Sequence, residues 1–343
     1  MKKGISILLV SIAATCLYLT TAPIYAEDLI SHPEVINQQN CFSGVFASYQ
    51  TWRDKMYEKM ASRNLPESEL KNKQASFDNI FGEQKFQHFR EGLECRTFQY
   101  KVDEHFVHGF VIQPKVTTKK LPVIIYNRGG NGNYGAMVFG AMMSRLFPLA
   151  EEGFVVVGSQ YRGTFTPEHL TLDEFGGSDV NDVVELANMI EHVKHADAER
   201  IGMFGGSRGG MQTYLAVKRL PQIKAIAISA GVTDLSRGLT IRPEMERVYE
   251  NRIPNFKENK EKELAKRSVI NWVDTLSKHV PILLIHGEED KRVSVTQSIV
   301  FAHALEQHKI PHKLIVYKDE GHVLRKNKQN LHDEVVNWFS TYL

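Results

Sequence analysis

The stretch MFGGSRGG, Met203–Gly210, places two glycines on each side of Ser207 and an arginine directly after it. It follows an apolar run, so it reads as a strand ending in a tight turn into a helix that begins near Arg208. Gly205-Gly206-Ser207-Arg208-Gly209 fits the pattern G-x-S-x-G, a turn in which flanking side chains clash and glycines fit. A serine at the tip of such a turn is a candidate nucleophile. The alternative is an ordinary glycine-rich loop.

Outward from this stretch, short apolar runs alternate with helical spacers. The runs are PVIIY (122–126), FVVVGS (154–159), RIGMFG (200–205), IKAIAIS (223–229), PILLIHG (281–287) and HKLIVY (312–317). Runs this apolar suit strands buried on both faces, and the spacers suit helical crossovers, so the expected class is α/β with a mostly parallel sheet. RTFQYKV and HFVHGFVIQP, on either side of Asp103-Glu104, alternate as a hairpin does. Residues 27–92 carry helical spacing, with Phe46, Tyr49, Trp52, Met56 and Met60 on one face, and predict a helical N-terminal appendage. The long charged interval 234–272 predicts a helical lid within a catalytic domain spanning 93–343.

The first residues resemble an export signal: Lys2 and Lys3, an apolar core over 5–19, and APIYAED with a cleavage point after Ala26. An uncleaved anchor and a lipoprotein attached through Cys16 are the alternatives. Export implies a secreted or periplasmic protein. The chain has 343 residues and a net charge of +2, and loss of Lys2 and Lys3 brings it to neutrality. A neutral chain without a basic run argues against nucleic acid as partner. No later run is long enough to span a bilayer, so no stable membrane partner is expected after cleavage. Nothing in the sequence sets an oligomeric state. Of three cysteines, Cys41 and Cys95 remain after export; in an oxidising compartment they either pair or stay as separate buried thiols. Without C-x-x-C or H-E-x-x-H, neither a metal site nor a cofactor is expected.

A serine hydroxyl needs a base, and the base a carboxylate to orient it. In chain order the acid and then the histidine should follow the serine. LLIHGEEDKRV supplies Asp290 after one strand, and YKDEGHVL supplies His322 after the next. All three residues fall beyond the carboxyl ends of predicted strands, where parallel sheets place their ligands. Asp234 is the rival acid, and His286 is expected to prop the acid loop. An oxyanion requires preorganised donors: the backbone N–H of Arg208 is one, and NRGGNGNYG (127–135) is expected to supply another.

From residue 96 onward the chain resembles the catalytic domain of the prolyl oligopeptidase family of serine peptidases. The resemblance rests on YNRGGN, SQYRGT, DEFGGSDVNDV, GGSRGGMQTYLA, RSVINW, PILLIHGEEDKRV and DEGH, in that order. It implies an α/β-hydrolase fold, with a mostly parallel central sheet flanked by helices. It also implies Ser207 as nucleophile, Asp290 as orienting acid, His322 as base, and oxyanion donors at Arg208 and within Arg128, Gly129 and Gly130.

Two departures qualify it. Residues 27–92 are too few for the β-propeller that the better-known peptidases carry ahead of the catalytic domain. Arg128 stands where those peptidases often place a tyrosine, which makes its side chain the expected substrate contact. The Arg208 side chain is instead expected to pair with Asp173 or Glu174. The expected activity is hydrolysis of short peptides or peptide-like amides; the alternatives are a carboxylesterase with the same triad, and a catalytically silent binding protein.

Overall fold

Nine strands hydrogen-bond into one sheet in the computed structural model, which describes residues 28–167 and 172–343. The predicted leader, with Cys16, lies outside the described residues. In chain order the strands are β1 (Val35–Asn40), β2 (Leu93–Val102), β3 (His105–Pro114), β4 (Leu121–Asn127), β5 (Val155–Ser159), β6 (Ala196–Gly206), β7 (Ile223–Ser229), β8 (Ile282–Gly287) and β9 (His312–Tyr317). They lie in the order β1-β2-β3-β5-β4-β6-β7-β8-β9. The pairs from β5 through β9 are parallel, and β1, β2 and β3 extend the sheet antiparallel. This is the α/β-hydrolase arrangement, with helices on both faces.

The continuous apolar runs have a direct cause. Val123 and Ile125 of β4 point into one core layer while Ile124 between them points into the other. Successive side chains of a strand face opposite ways, so a strand covered on both faces cannot alternate with polar residues. Among the described residues, no helix is long and apolar enough to cross a membrane.

The N-terminal segment departs from the purely helical expectation. Residues 35–40 form an edge strand on β2 before the helices Tyr49–Ala61, Glu67–Phe81 and Glu83–Gly92 begin. VINQQN is polar after Val35 and Ile36, and an edge strand needs only one partner and can leave most of its side chains wet, so periodicity does not reveal it. Ser48 and Thr51 close a capping box at the first helix. Trp52 then packs against Phe77, Phe81 and Phe139 at centroid distances of 4.9, 4.7 and 5.0 Å. Because Phe139 belongs to the catalytic segment, the two segments share one core.

A disulfide joins Cys41 to Cys95 across 54 residues and ties β1 to β2. By loop entropy such a crosslink contributes about 4 kcal/mol. Reduction is therefore expected to lower the melting temperature substantially. Two free thiols in native, non-reduced protein by mass spectrometry would overturn this.

Between the helices, Asp78 accepts from Tyr49 Oη (2.7 Å), Tyr57 Oη (2.6 Å) and Arg53 Nε (2.9 Å). The Arg53 hydrogen bonds outweigh burial and, with the two phenols, draw the carboxyl down from 3.8 to about 2. A depressed carboxyl contributes stability above its unfolded value and loses it as pH falls through the folded one. The advantage of wild type over Asp78→Asn is thus expected to shrink between about pH 4 and about pH 2. The effect is small, because Arg53 and Asp78 are each about a third exposed. Melts of both proteins across that range check it; a difference independent of pH would refute it.

The interval 234–272 folds as helices Leu235–Ile241, Met245–Arg252 and Phe256–Arg267. Leu235, Tyr249, Ile253, Phe256 and Leu264 gather with Met211 in a third apolar cluster over the helix that follows Ser207.

Candidate active site

Ser207 stands between the end of β6 at Gly206 and the helix Arg208–Val217, at the N-cap position, with φ 57° and ψ −123°. A non-glycine residue held at such angles is strained, and the surrounding bonds must enforce it. Ser207 N–H donates to Ser229 O (2.9 Å), while its carbonyl accepts from Gly210 N (2.9 Å) and Val232 N (3.3 Å). Gly209 permits the turn: a Cβ there would lie 1.9 Å from Asn127 O. The strand-to-helix turn of G-x-S-x-G is thus present.

Asp290 and His322 sit in the loops after β8 and β9. Those loops are pinned by Glu288 N to Tyr317 O (2.9 Å) and Glu289 N to Glu320 O (2.8 Å). Gly287 allows the approach, since a Cβ there would lie 2.4 Å from Glu320 O. Asp290 Oδ2 accepts from His322 Nδ1 at 2.7 Å and from His286 Nε2 at 3.1 Å. Asp290 Oδ1 accepts from the backbone N–H groups of Arg292 (2.8 Å) and Val293 (3.0 Å). Four donors on a carboxylate suit only its ionised form. Burial opposes the charge, but the hydrogen bonds from His286, His322 and Val293 outweigh it and hold the carboxyl well below the usual range.

His286 is fully buried; its Nε2 also meets Val293 O (2.9 Å), and its Nδ1 meets Ser298 Oγ (2.7 Å). It props the acid loop. Asp234 is engaged elsewhere, accepting from Arg237 N (2.9 Å) as the cap of the helix Leu235–Ile241. With His322 Nδ1–H committed to Asp290, its Nε2 is left as a proton acceptor. No hydrogen bond joins Ser207 Oγ to His322 among the described residues; such bonds commonly close only when a ligand is bound.

The loop after β4 lies against the serine: a Cβ on Gly129 would be 3.1 Å from Ser207 Cβ. Arg208 is the first residue of its helix, so its N–H has no intrahelical acceptor.

The expectation that the Arg128 side chain meets substrate is corrected. It is fully buried, with its guanidinium turned inward to Gln160 O (2.6 and 2.9 Å), Gly132 O (2.8 Å), Gly129 O (3.0 Å) and Thr164 Oγ1 (2.7 Å). The loop folds back on itself and presents this ring of carbonyls, which a guanidinium fork satisfies and bulk water cannot reach. Burial, reinforced by Arg208, pushes Arg128 down to about 10, still protonated at neutral pH.

Arg208 pairs with Asp173 Oδ1 (2.8 Å) and Asp179 Oδ2 (2.5 Å), all of them buried. Burial works against its charge, and the two carboxylates overcome it. Of the expected partners Asp173 is present and Glu174 is not; Glu174 accepts from Ser178 N (2.7 Å). Asp173 also accepts from Gly132 N (2.8 Å) and Arg252 Nη1 (2.8 Å), linking the 127–135 loop to the helix Met245–Arg252. Asp179 and Arg252 were not anticipated. Asp179 lay inside the quoted DEFGGSDV block, whereas nothing in the sequence marks Arg252 among so many exposed charges. Among the described residues, no group of three or more His, Cys, Asp or Glu is placed to hold a metal ion.

A model of the prolyl oligopeptidase family matches residues 141–343. Dipeptidyl-peptidase 5 of Porphyromonas gingivalis is 29% identical over 241 residues, covering 66% of this chain and 34% of the relative. The acylamino-acid-releasing enzyme of Mus musculus is 28% identical over 258 residues, covering 68% and 34%. The chain thus spans about a third of the length of these curated relatives. Among solved structures, an acylaminoacyl peptidase of Pyrococcus horikoshii superposes with a TM-score of 0.63 at 25% identity, covering 75% of this chain and 43% of that one.

Proposed function

This chain belongs to the prolyl oligopeptidase family of serine peptidases, and from that premise we propose that it hydrolyses short peptides or peptide-like amides through an acyl-enzyme on Ser207. The observation that carries the reading is His322 Nδ1 held 2.7 Å from a buried, ionised Asp290, in a fold that also carries the strained strand-to-helix turn at Ser207. In this mechanism His322 Nε2 takes the Ser207 Oγ proton as Oγ attacks the substrate carbonyl carbon. The carbonyl π pair moves onto oxygen, and the N–H groups of Arg208 and Gly129 receive that charge. The C–N bond then breaks, the imidazolium returns its proton to the leaving amine, and the acyl group stays on Oγ. Water repeats the sequence, with His322 again as base, and releases the acid.

Relatives named for dipeptides and acylamino acids support an amide substrate. The leader-like first residues and the Cys41–Cys95 disulfide support a secreted or periplasmic location. A panel of short peptide amides beside nitrophenyl esters tests the reading. Amide cleavage that disappears in Ser207→Ala is expected. Ester turnover with no amide cleavage would replace the peptidase by a carboxylesterase.

A further inference from the structure

Arg128 and Tyr161 are buried, face the loop after β4 from its interior side, and have no part in the mechanism above. Three consecutive carbonyls of that loop are each held from the protein interior. Arg128 O accepts from Tyr161 Oη (3.1 Å), Gly129 O from Arg128 Nη1 (3.0 Å), and Gly130 O from Arg208 Nη1 (2.9 Å). The two guanidinium carbons lie 4.9 and 5.1 Å from the centre of the one Tyr161 ring. Tyr161 is itself fixed, at φ 62°, by its N–H to Ser159 Oγ (3.0 Å) and by the neighbouring Arg162–Asp182 pair (2.6 Å).

A trans peptide is planar, with C=O and N–H on opposite sides, and the described residues contain no cis bond. Holding the Arg128 carbonyl from below therefore turns the Gly129 N–H the other way. Gly129 is the residue that lies against Ser207. The next peptide is oriented likewise by the Arg128 guanidinium. A loop rich in glycine has many accessible conformations, so an amide donor in it is preorganised only if something holds it.

We infer that Arg128 and Tyr161 form a clamp on the oxyanion loop: they are positioning residues that set its amide donors through its carbonyl oxygens. The inference rests on the hydrolase reading of the site. Arg128 thus acts from behind the loop, at the position where the resemblance suggested a side chain acting from the front. Arg208 completes the clamp while its own N–H serves as the other donor, so one residue links the clamp to the helix of the nucleophile.

The test compares wild type, Tyr161→Phe, Arg128→Lys and Arg128→Gln as full mature chains. Active Ser207 is first titrated with a fluorophosphonate; then labelling rate, kcat and KM for a nitrophenyl ester are measured per active site, beside the melting temperature. Tyr161→Phe removes one hydroxyl and keeps the ring, so it is the variant that isolates the clamp from folding. Labelling rate and kcat per active site are expected to fall, up to about 10²–10³-fold in Arg128→Gln, the range for loss of an oxyanion donor. A smaller fall is expected in Tyr161→Phe, and KM should change little. Arg128→Lys, which keeps the charge without the fork, should not recover wild-type rates. If Arg128→Gln does not fold, Tyr161→Phe and Arg128→Lys decide. Variants with lowered melting temperature but wild-type rates per titrated serine would overturn the clamp and leave the hydrolase reading standing. No labelling of wild-type protein would overturn both.

Discussion

Ser207→Ala is expected to abolish turnover and covalent labelling by a fluorophosphonate, a loss of about 10⁶-fold in kcat, with the fold preserved. The fold should survive because the hydroxyl makes no contact that the turn requires: Ser207 is held through its backbone N–H and carbonyl. Alanine brings no larger side chain to the strained φ, so the turn can persist without the nucleophile. His322→Ala should cost nearly as much, since nucleophile and base act as a unit and losing either removes the same step. Steady-state kinetics with thermal melts check both variants. Retention of a tenth of wild-type turnover by Ser207→Ala would sink the assignment of the nucleophile.

The second large effect is at the acid. Asp290→Asn should lower kcat by roughly 10⁴-fold, because an amide facing His322 favours the wrong imidazole tautomer. The geometry sharpens the expectation. Asp290 receives four hydrogen bonds, from two histidines and two backbone N–H groups, and an asparagine must turn an NH₂ toward one pair of those donors. If it faces His322 and His286, the base is misoriented. If it faces Arg292 and Val293, two backbone donors lose their acceptor and the loop is destabilised. Asp234→Asn should leave turnover near wild type, since an asparagine oxygen can still cap the helix through Arg237 N. Measuring kcat for both variants decides between the two acids, and the reverse ranking would transfer the role to Asp234.

Much of the architecture was legible in the sequence because it depends on local patterns. PVIIY, and the AIAI and ILLI runs inside IKAIAIS and PILLIHG, are continuously apolar, which a helix of ordinary length does not require and a doubly covered strand does. The hairpin around Asp103-Glu104 followed from strict alternation and a two-residue turn. G-x-S-x-G marked its own turn, because Gly209 is dictated by backbone approach rather than by side-chain chemistry. The chain positions of Asp290 and His322, each in the loop after a strand, followed from the same rhythm.

Only the tertiary structure decided what depends on neighbours distant in sequence. Strand β1 carries no periodic apolar signal beyond Val35 and Ile36, since an edge strand is held to β2 largely through backbone pairing. The orientation of Arg128 could not be inferred from NRGG: the same long side chain can reach outward to a ligand or inward to carbonyls. What turned it inward is the ring of acceptors that Gln160, Thr164 and its own loop bring together. Asp179 and Arg252 entered the charge cluster for the same reason, because a buried ion needs partners in space whatever their separation in the chain. Sequence determined which segments become strands and where the reactive side chains fall along them, since periodicity and turn chemistry are local. Tertiary structure decided which carboxylate meets His322 and which way each arginine faces, since burial and hydrogen-bond geometry exist only once the segments are packed together.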